Sequence, residues 1–372
     1  MLNSEYRKSM VQKREREGNM PVGNIRYESS KRYLLEKIRA GDTEYFQKTK
    51  DNFCISEEEV QQLLENCLRD AIIIEKDTGI GFELVCREWD FVYNQKAGLS
   101  EDRIYSGDIQ SILKNDKKEA KQIWSYVFSE IMNNAIEHSK SQMIYCHVKK
   151  DYLYTEISIT DDGIGIFENI KSVLSGMLKQ HVDNQDALIE LYKGKFTTNK
   201  ESHSGEGIFF SSKLMDEFAV WSDNAVFHTG YYKEDKLVQS HLIAYYTKLK
   251  RIGTMVVMKL SNQTNRTMKE VFDMFAPIDE GFSRTVIPVK DTCLCGEPVA
   301  RSHARRVLFR LEEFKHIDFD FAGVEFMGQG FADEVFRVFQ NKYPDIELRA
   351  INANESVLGM IKHVRFNMTA TQ

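Results

Sequence analysis

Glu130, Asn134 and His138 follow one another at four-residue intervals in the stretch SEIMNNAIEHS, residues 129–139. Residues four apart share one face of an α-helix. A carboxylate, an amide and an imidazole in one row can hold a metal ion, a water or a polar ligand. Trp124, Val127, Phe128, Ile131 and Ala135 recur at helical spacing on another side. The spacing therefore predicts a helix with one face in a core and one face available for chemistry. By itself such a polar stripe is an ordinary solvated helix face, and only a ligand pocket supplied by the rest of the chain makes it a site.

Three other segments offer that pocket. In DDGIGIF, Asp161 ends a strand-like run, and Gly163 and Gly165 let the backbone turn tightly and approach a ligand closely. In KGKFTTNKESHSGEGIFF, Gly205 and Gly207 open a helix whose unpaired N–H groups form an anion site. Lys193, Lys195, Thr197 and Thr198 lie just upstream, in what reads as a flexible loop. Gly253 and Thr254 head the strand GTMVVMKLS. Taken singly, each is weak: D-x-G-x-G is most often a plain turn, and lysines in a glycine-punctuated loop are most often solvated.

Positioning these groups takes several elements. The strands MIYCHVKK and YTEISITDD follow the Glu130 helix. The helices IFENIKSVLSGMLKQ and DALIELYKGKF come next, then a helix GIFFSSKLMDEF and further strands. Helix, strands, loop-rich helices and strands in that order predict an α/β sandwich.

In this order and spacing the four segments resemble the ATP site of the GHKL superfamily, which includes gyrase B, MutL, the heat-shock chaperone ATPases and sensor histidine kinases. The Glu130 helix is similar to that family's N box, DDGIGI and GEGI to its two glycine boxes, and Gly253-Thr254 to its late threonine element, over roughly residues 108–275. The resemblance implies a Bergerat-type α/β sandwich that binds ATP with Mg²⁺. It gives Asn134 the role of a Mg²⁺ ligand through a hard oxygen. Asp161 is expected to accept a hydrogen bond from the adenine amino group, with Thr254 supporting the base. Gly163, Gly165, Gly205 and Gly207 shape the adenine pocket and a phosphate lid between Thr197 and Gly205. Lys195 (or Lys193) and Thr198 are expected at the phosphates. Glu130 is the general base in hydrolysing members and holds or polarises the attacking group in kinases. His138 is expected to be structural.

The flanks carry their own signals. Residues 1–30 are charged and without apolar periodicity, which reads as an extension or a fraying helix. Residues 31–90 read as three short helices and a β-hairpin, a winged-helix-like order. The third helix has a capping box from Ser56 and Glu59 and a stripe of Val60, Leu63, Leu64, Cys67 and Leu68. Its start also carries Glu57, Glu58 and Glu59, which would face phosphates with like charge, so DNA binding is disfavoured against a protein-interaction or dimerisation role. Residues 91–281 read as a connector (to about residue 118) plus the GHKL domain. Residues 282–372 alternate strand and helix, and RSHARRVL and FDFAGVEFMGQGFADEVFRVF resemble a STAS-like α/β domain. The three modules together are similar to bacterial and phage-associated proteins described as ATP-binding regulators. The fold class expected is therefore α/β (α+β overall).

Composition narrows the function further. The net charge of −6 leaves no global footprint for nucleic acid. The sequence has no apolar run of the ~20 residues that a membrane span requires, and its start lacks an apolar signal core, so a cytoplasmic protein is expected. Six scattered cysteines suit a reducing compartment; Cys54, Cys67, Cys86 and Cys146 read as small buried hydrophobes. The pair Cys293 and Cys295 has no partner pair at zinc spacing.

The leading functional reading is an ATPase acting as a nucleotide-dependent regulatory switch, with a protein partner or a homodimer as its target. One alternative is an anti-sigma-type protein kinase with its STAS partner in cis. At the expected phospho-acceptor turn, however, the sequence reads Met327-Gly-Gln329-Gly330-Phe331, without a hydroxyl. Non-covalent docking of that domain on the ATPase is the expectation instead. A second alternative is an ATP-gated transcriptional regulator. A sensor histidine kinase would need a histidine upstream of the ATP site, and none precedes His138.

Overall fold

The computed structural model describes residues 22–95, 98–179, 181–196, 205–230, 251–293 and 297–369. The chain divides into two compact units, one of residues 1–87 with 150–154 and one of 88–149 with 155–372. Among the described residues, no helix is long and apolar enough to cross a membrane.

The first unit contains α1 (Val22–Arg39), α2 (Tyr45–Phe53) and α3 (Glu57–Arg69), followed by the antiparallel pair β1 (Ile73–Glu75) and β2 (Phe82–Leu84). The start of α3 is fixed locally. Ser56 Oγ accepts from the Glu59 N–H at 3.2 Å, and Glu59 Oε2 accepts from the Ser56 N–H at 2.7 Å. Val60, Leu63, Leu64 and Cys67 then face Leu34, Leu35 and Ile38 of α1 in a small core, with Leu68 partly buried against it. Leu153 joins this core, and Asp151 ties to Arg39 at 2.9 Å. Helix α1 already begins within the stretch read as an extension.

The second unit holds the site. Among the described residues, β3 (Arg87–Asn94), β4 (Met143–Lys150), β5 (Tyr154–Asp161), β6 (Glu217–Asp223), β7 (Ala225–Gly230) and β8 (Arg251–Ser261) form one sheet in the order β3-β4-β5-β8-β6-β7. Burial alternates strictly along β5: Thr155, Ile157, Ile159 and Asp161 point inward. The period of two therefore carries a carboxylate to the buried face at the end of an apolar strand. The helices of the ATPase region are α4 (Glu101–Ile104, continuing as a π-helical turn to Ile109), α5 (Lys118–Glu137), α6 (Ile166–Leu178), α7 (Asn184–Lys193), α8 (Gly207–Leu214) and α9 (Met268–Phe275). Helix α5 buries Trp124, Val127, Phe128 and Ile131, the apolar face expected of it.

Two expectations change here. The connector is not a linker: β3 is an edge strand whose Trp89, Phe91 and Tyr93 pack at alternate positions, and Ile104, Ile109 and Leu113 are buried beyond it. The helix expected over GIFFSSKLMDEF stops at Leu214. Met215 is extended, and Phe218, Val220 and Ser222 alternate inward on β6, paired on both sides with β7 and β8. A hairpin with β7 and pairing with the more distant β8 override the local helix preference.

The C-terminal part has three parallel strands, β9 (Arg284–Pro288), β10 (His316–Asp320) and β11 (Glu347–Ile351), in the order β11-β10-β9. Its helices are α10 (Val289–Thr292), α11 (Arg301–Leu308), α12 (Gln329–Asp333, continuing as a π-helical stretch to Phe339), α13 (Gln340–Lys342) and α14 (Glu355–Thr369). Parallel pairing requires crossovers of this kind. The apolar core of this part is continuous with that of the ATPase region.

The cysteines divide differently from expectation. Cys67, Cys146 and Cys293 are buried, but Cys54 and Cys86 are exposed. Cys54 caps α2 in a left-handed turn, and Cys86 lies between two strands, so neither has a core-facing register. Cys295 lies outside the described residues.

Candidate functional site

Helix α5, the end of β5, the start of α8 and the start of β8 converge on a cavity of ≈280 Å³. Glu130, Asn134 and His138 all line it, so the four-residue spacing does present one face to a pocket. Asp161, Gly165, Gly205, Gly207 and Thr254 line it from the other elements. Ile131, Ile159, Ile166 and Val256 make its apolar walls.

A hydrogen-bonded frame fixes the Asp161 end. Asp161 Oδ1 accepts from the Gly163 N–H at 2.9 Å and from the Thr254 N–H at 3.3 Å. Thr254 Oγ1 accepts from the Ile166 N–H at 3.0 Å, which ties the strand β8 to the first turn of α6. Ser222 Oγ donates to the Gly253 carbonyl at 2.7 Å. Gly253 is required here: its φ is +75°, and a Cβ would run into the Asp161 carbonyl. Gly163 does not line the cavity. It lies where the loop passes the end of α5, and the neighbouring Ile164 N–H donates to the Ser139 carbonyl at 2.8 Å.

Helix α8 starts at Gly207; its N-cap Glu206 makes no capping hydrogen bond, and no acidic residue lies in its first turn. Its leading N–H groups and dipole favour an anion. Gly207 lies so close to Glu130 that a Cβ there would overlap Oε2. Burial pushes the Tyr126 phenol well above its ordinary range, and the nearby charges of Glu130 and Glu206 push the same way.

The lysines behave otherwise than expected. Lys193 is buried, donates to Glu190 at 2.7 Å and to the Phe309 carbonyl at 2.5 Å, and does not line the cavity. Lys195 Nζ donates to the Glu313 carbonyl at 2.6 Å and lies 4.3 Å from the Phe314 ring centre. Both cations are drawn to the C-terminal part rather than the cavity, because carbonyl oxygens and aromatic faces there replace water. Thr198, Thr197 and the expected lid up to residue 204 lie outside the described residues.

Several lining residues carried no clear sequence signal: Asn133, Ser139, Asn169, Leu191 and Phe196. Asn169 falls one turn after Gly165 on α6, a spacing that points it the same way. Leu191 and Phe196 read simply as core residues.

The donor set suits a nucleotide. An inward carboxylate lies between apolar walls, and a helix start lines the same cavity. Asn134 provides a hard amide oxygen of the kind Mg²⁺ accepts. Among the described residues, no group of three or more His, Cys, Asp or Glu side chains is arranged to hold a metal. An ion shared between one side-chain oxygen, water and phosphate oxygens fits this arrangement.

A six-stranded sheet with such a helix and two glycine loops around one cavity is the arrangement of a GHKL-type ATPase domain. Residues 120–261 match the histidine kinase-, DNA gyrase B-, and HSP90-like ATPase family, and residues 303–358 match a STAS-like domain of unknown function. The chain thus carries a GHKL-type ATPase domain, with the ATP-binding function that this supports, followed by a STAS-like domain. No match was found among curated proteins.

Proposed function

We propose that the chain is an ATP- and Mg²⁺-dependent regulatory switch that hydrolyses ATP, with Glu130 as general base. The observation carrying this reading is the convergence of Glu130, Asn134, Asp161, Gly205, Gly207 and Thr254 on one cavity. When bound, ATP with Mg²⁺ supplies the scissile phosphate bond and the neutralisation of its charge. Asn134 offers the ion an oxygen. Asp161 accepts from the adenine amino group, while Thr254 and the apolar walls hold the base. The start of α8 takes the phosphates. Glu130 takes the proton of the attacking water.

The output is regulatory: bound nucleotide shifts the balance between two states of the chain by its difference in affinity for them. The first unit is a winged-helix-like interaction module that contacts a protein partner or a second copy. Lys193 and Lys195, engaged elsewhere, are not part of the proposed site. Transfer to the chain's own STAS-like domain is disfavoured because Gln329 and Gly330 offer no hydroxyl.

The test is ATP turnover with Mg²⁺ for wild type, Glu130→Ala and Asn134→Ala, with nucleotide binding measured in parallel. Glu130→Ala is expected to bind ATP and lose turnover by about 10²–10⁴-fold. Asn134→Ala is expected to lose Mg²⁺-dependent activity. Binding without phosphate release by the wild type would replace hydrolysis with phosphoryl transfer or a binding-only switch.

A further inference from the structure

The segment from Glu190 to Phe196 belongs to two structures at once. Leu191 and Phe196 line the nucleotide cavity. The residues between and beside them are fastened to the STAS-like part. Helix α11 stops at Leu308, and Arg310 takes a left-handed conformation with φ +61°. Arg310 Nη1 donates to Glu190 Oε2 at 3.2 Å, and Nη2 donates to the Lys195 carbonyl at 3.2 Å. Its guanidinium lies 5.7 Å from the centre of the Phe196 ring. Lys193 bridges Glu190 and the Phe309 carbonyl, and Thr285 Oγ1 donates to the Lys193 carbonyl at 3.1 Å. Farther out, Arg306 pairs with Asp183 at 2.5 Å and Asp186 at 2.7 Å.

Glu190 and Lys193 are only 3 % and 2 % exposed. Buried charges are tolerated while every partner is present, and removing one leaves the others desolvated and uncompensated. If the STAS-like part lets go, Glu190 and Lys193 must turn towards water. Leu191 and Phe196, on the same short stretch, must then leave the cavity wall.

Resting on the nucleotide reading above, we infer that Arg310 is a positioning residue of the nucleotide site. It acts through Phe196 and Glu190, so docking of the STAS-like domain sets nucleotide affinity. The coupling is reciprocal: whatever factor docking adds to ATP binding, ATP adds to docking. The STAS-like domain is then the element through which the switch reports or receives its signal.

The experiment uses the full chain and ATP with Mg²⁺ as the probe. Affinity is measured by calorimetry for wild type, Arg310→Ala, Arg310→Lys and Arg306→Ala, with amide exchange over residues 301–314 of the wild type followed with and without ATP. Arg310→Ala is expected to weaken ATP binding by about 5–150-fold, the usual span of site-to-site coupling. Arg310→Lys, which keeps the charge at Glu190 but loses the fork to the Lys195 carbonyl, should recover part of that loss. Arg306→Ala should stay within about two-fold, since its pairs lie at the partly exposed rim and add little to docking. ATP should slow exchange over 301–314. A folded Arg310→Ala chain that binds ATP like the wild type overturns the inference, as does ATP-independent exchange in the wild type. The exchange result decides the matter if Arg310→Ala does not fold. Failure of the wild type to bind ATP overturns the nucleotide reading itself, and this inference with it.

Discussion

The backbone of Gly207 rests against the carboxylate of Glu130, so close that a methyl group on Gly207 would overlap Oε2. The first residue of α8 thus sits directly against a side chain from the middle of α5. The group that would clash is the end of a flexible side chain and can swing away. Gly207 has no left-handed strain, and alanine favours helices. Gly207→Ala is therefore expected to leave the melting temperature unchanged or slightly higher. It should nonetheless reduce ATP turnover by about ten-fold or more, because a misplaced base loses proton-transfer geometry. Thermal unfolding and turnover on the same sample check it, and parallel losses in both would contradict it.

Gly253→Ala is expected to do the opposite. Its Cβ would meet a backbone carbonyl, that of Asp161, and its φ of +75° is unfavourable for alanine. A backbone oxygen cannot swing aside. Destabilisation of about 2–4 kcal/mol is expected, with weakened nucleotide binding as the frame of Asp161 and Thr254 loosens. Denaturant midpoints and ATP affinity are the readouts.

Lys213, on α8, is part-buried and lies 5.1 Å and 5.8 Å from the ring centres of Phe209 and Phe275. Burial pulls its ammonium down to about 8, against a smaller upward pull from Asp320. Between that value and the unfolded lysine range, the unfolded chain holds more protons than the folded one. This group's contribution to stability is therefore lowest below pH 8 and rises as the pH climbs towards 10.5. Lys213→Met should stabilise the protein at pH 7 by about 1–2 kcal/mol, since ~1.4 kcal/mol per pKa unit sets a limit near 3 and partial exposure lowers it. It should also flatten the rise between pH 8 and 10.5. Guanidinium midpoints of both proteins at pH 7 and pH 10 test the sign.

The first unit presents Glu57, Glu58 and Glu59, all exposed, at the start of α3. Mobility-shift titrations of the full chain on duplex DNA are expected to show no binding with a steep salt dependence. A slope corresponding to several phosphate contacts would restore the transcriptional reading.

Much of the site was legible because its determinants are local. The helical period put Glu130, Asn134 and His138 on one face, and the strand period put Asp161 inward at the end of β5. Ser56 and Glu59 wrote their own capping box. What escaped depends on partners distant in sequence. Glu217–Asp223 became a central strand because β8, some thirty residues on, pairs with its other edge. Trp89, Phe91 and Tyr93 became sheet residues because β4 offers an edge.

By itself, then, the sequence determined which elements form the nucleotide cavity, through periodicities and glycines that act within a few residues. Only the tertiary structure decided where Lys193 and Lys195 go and that the STAS-like part grips the wall of the site. A lysine's direction depends on where the compensating charge is found. Here that compensation comes from Glu190 one turn away, and from the carbonyls of Phe309 and Glu313 more than a hundred residues along the chain.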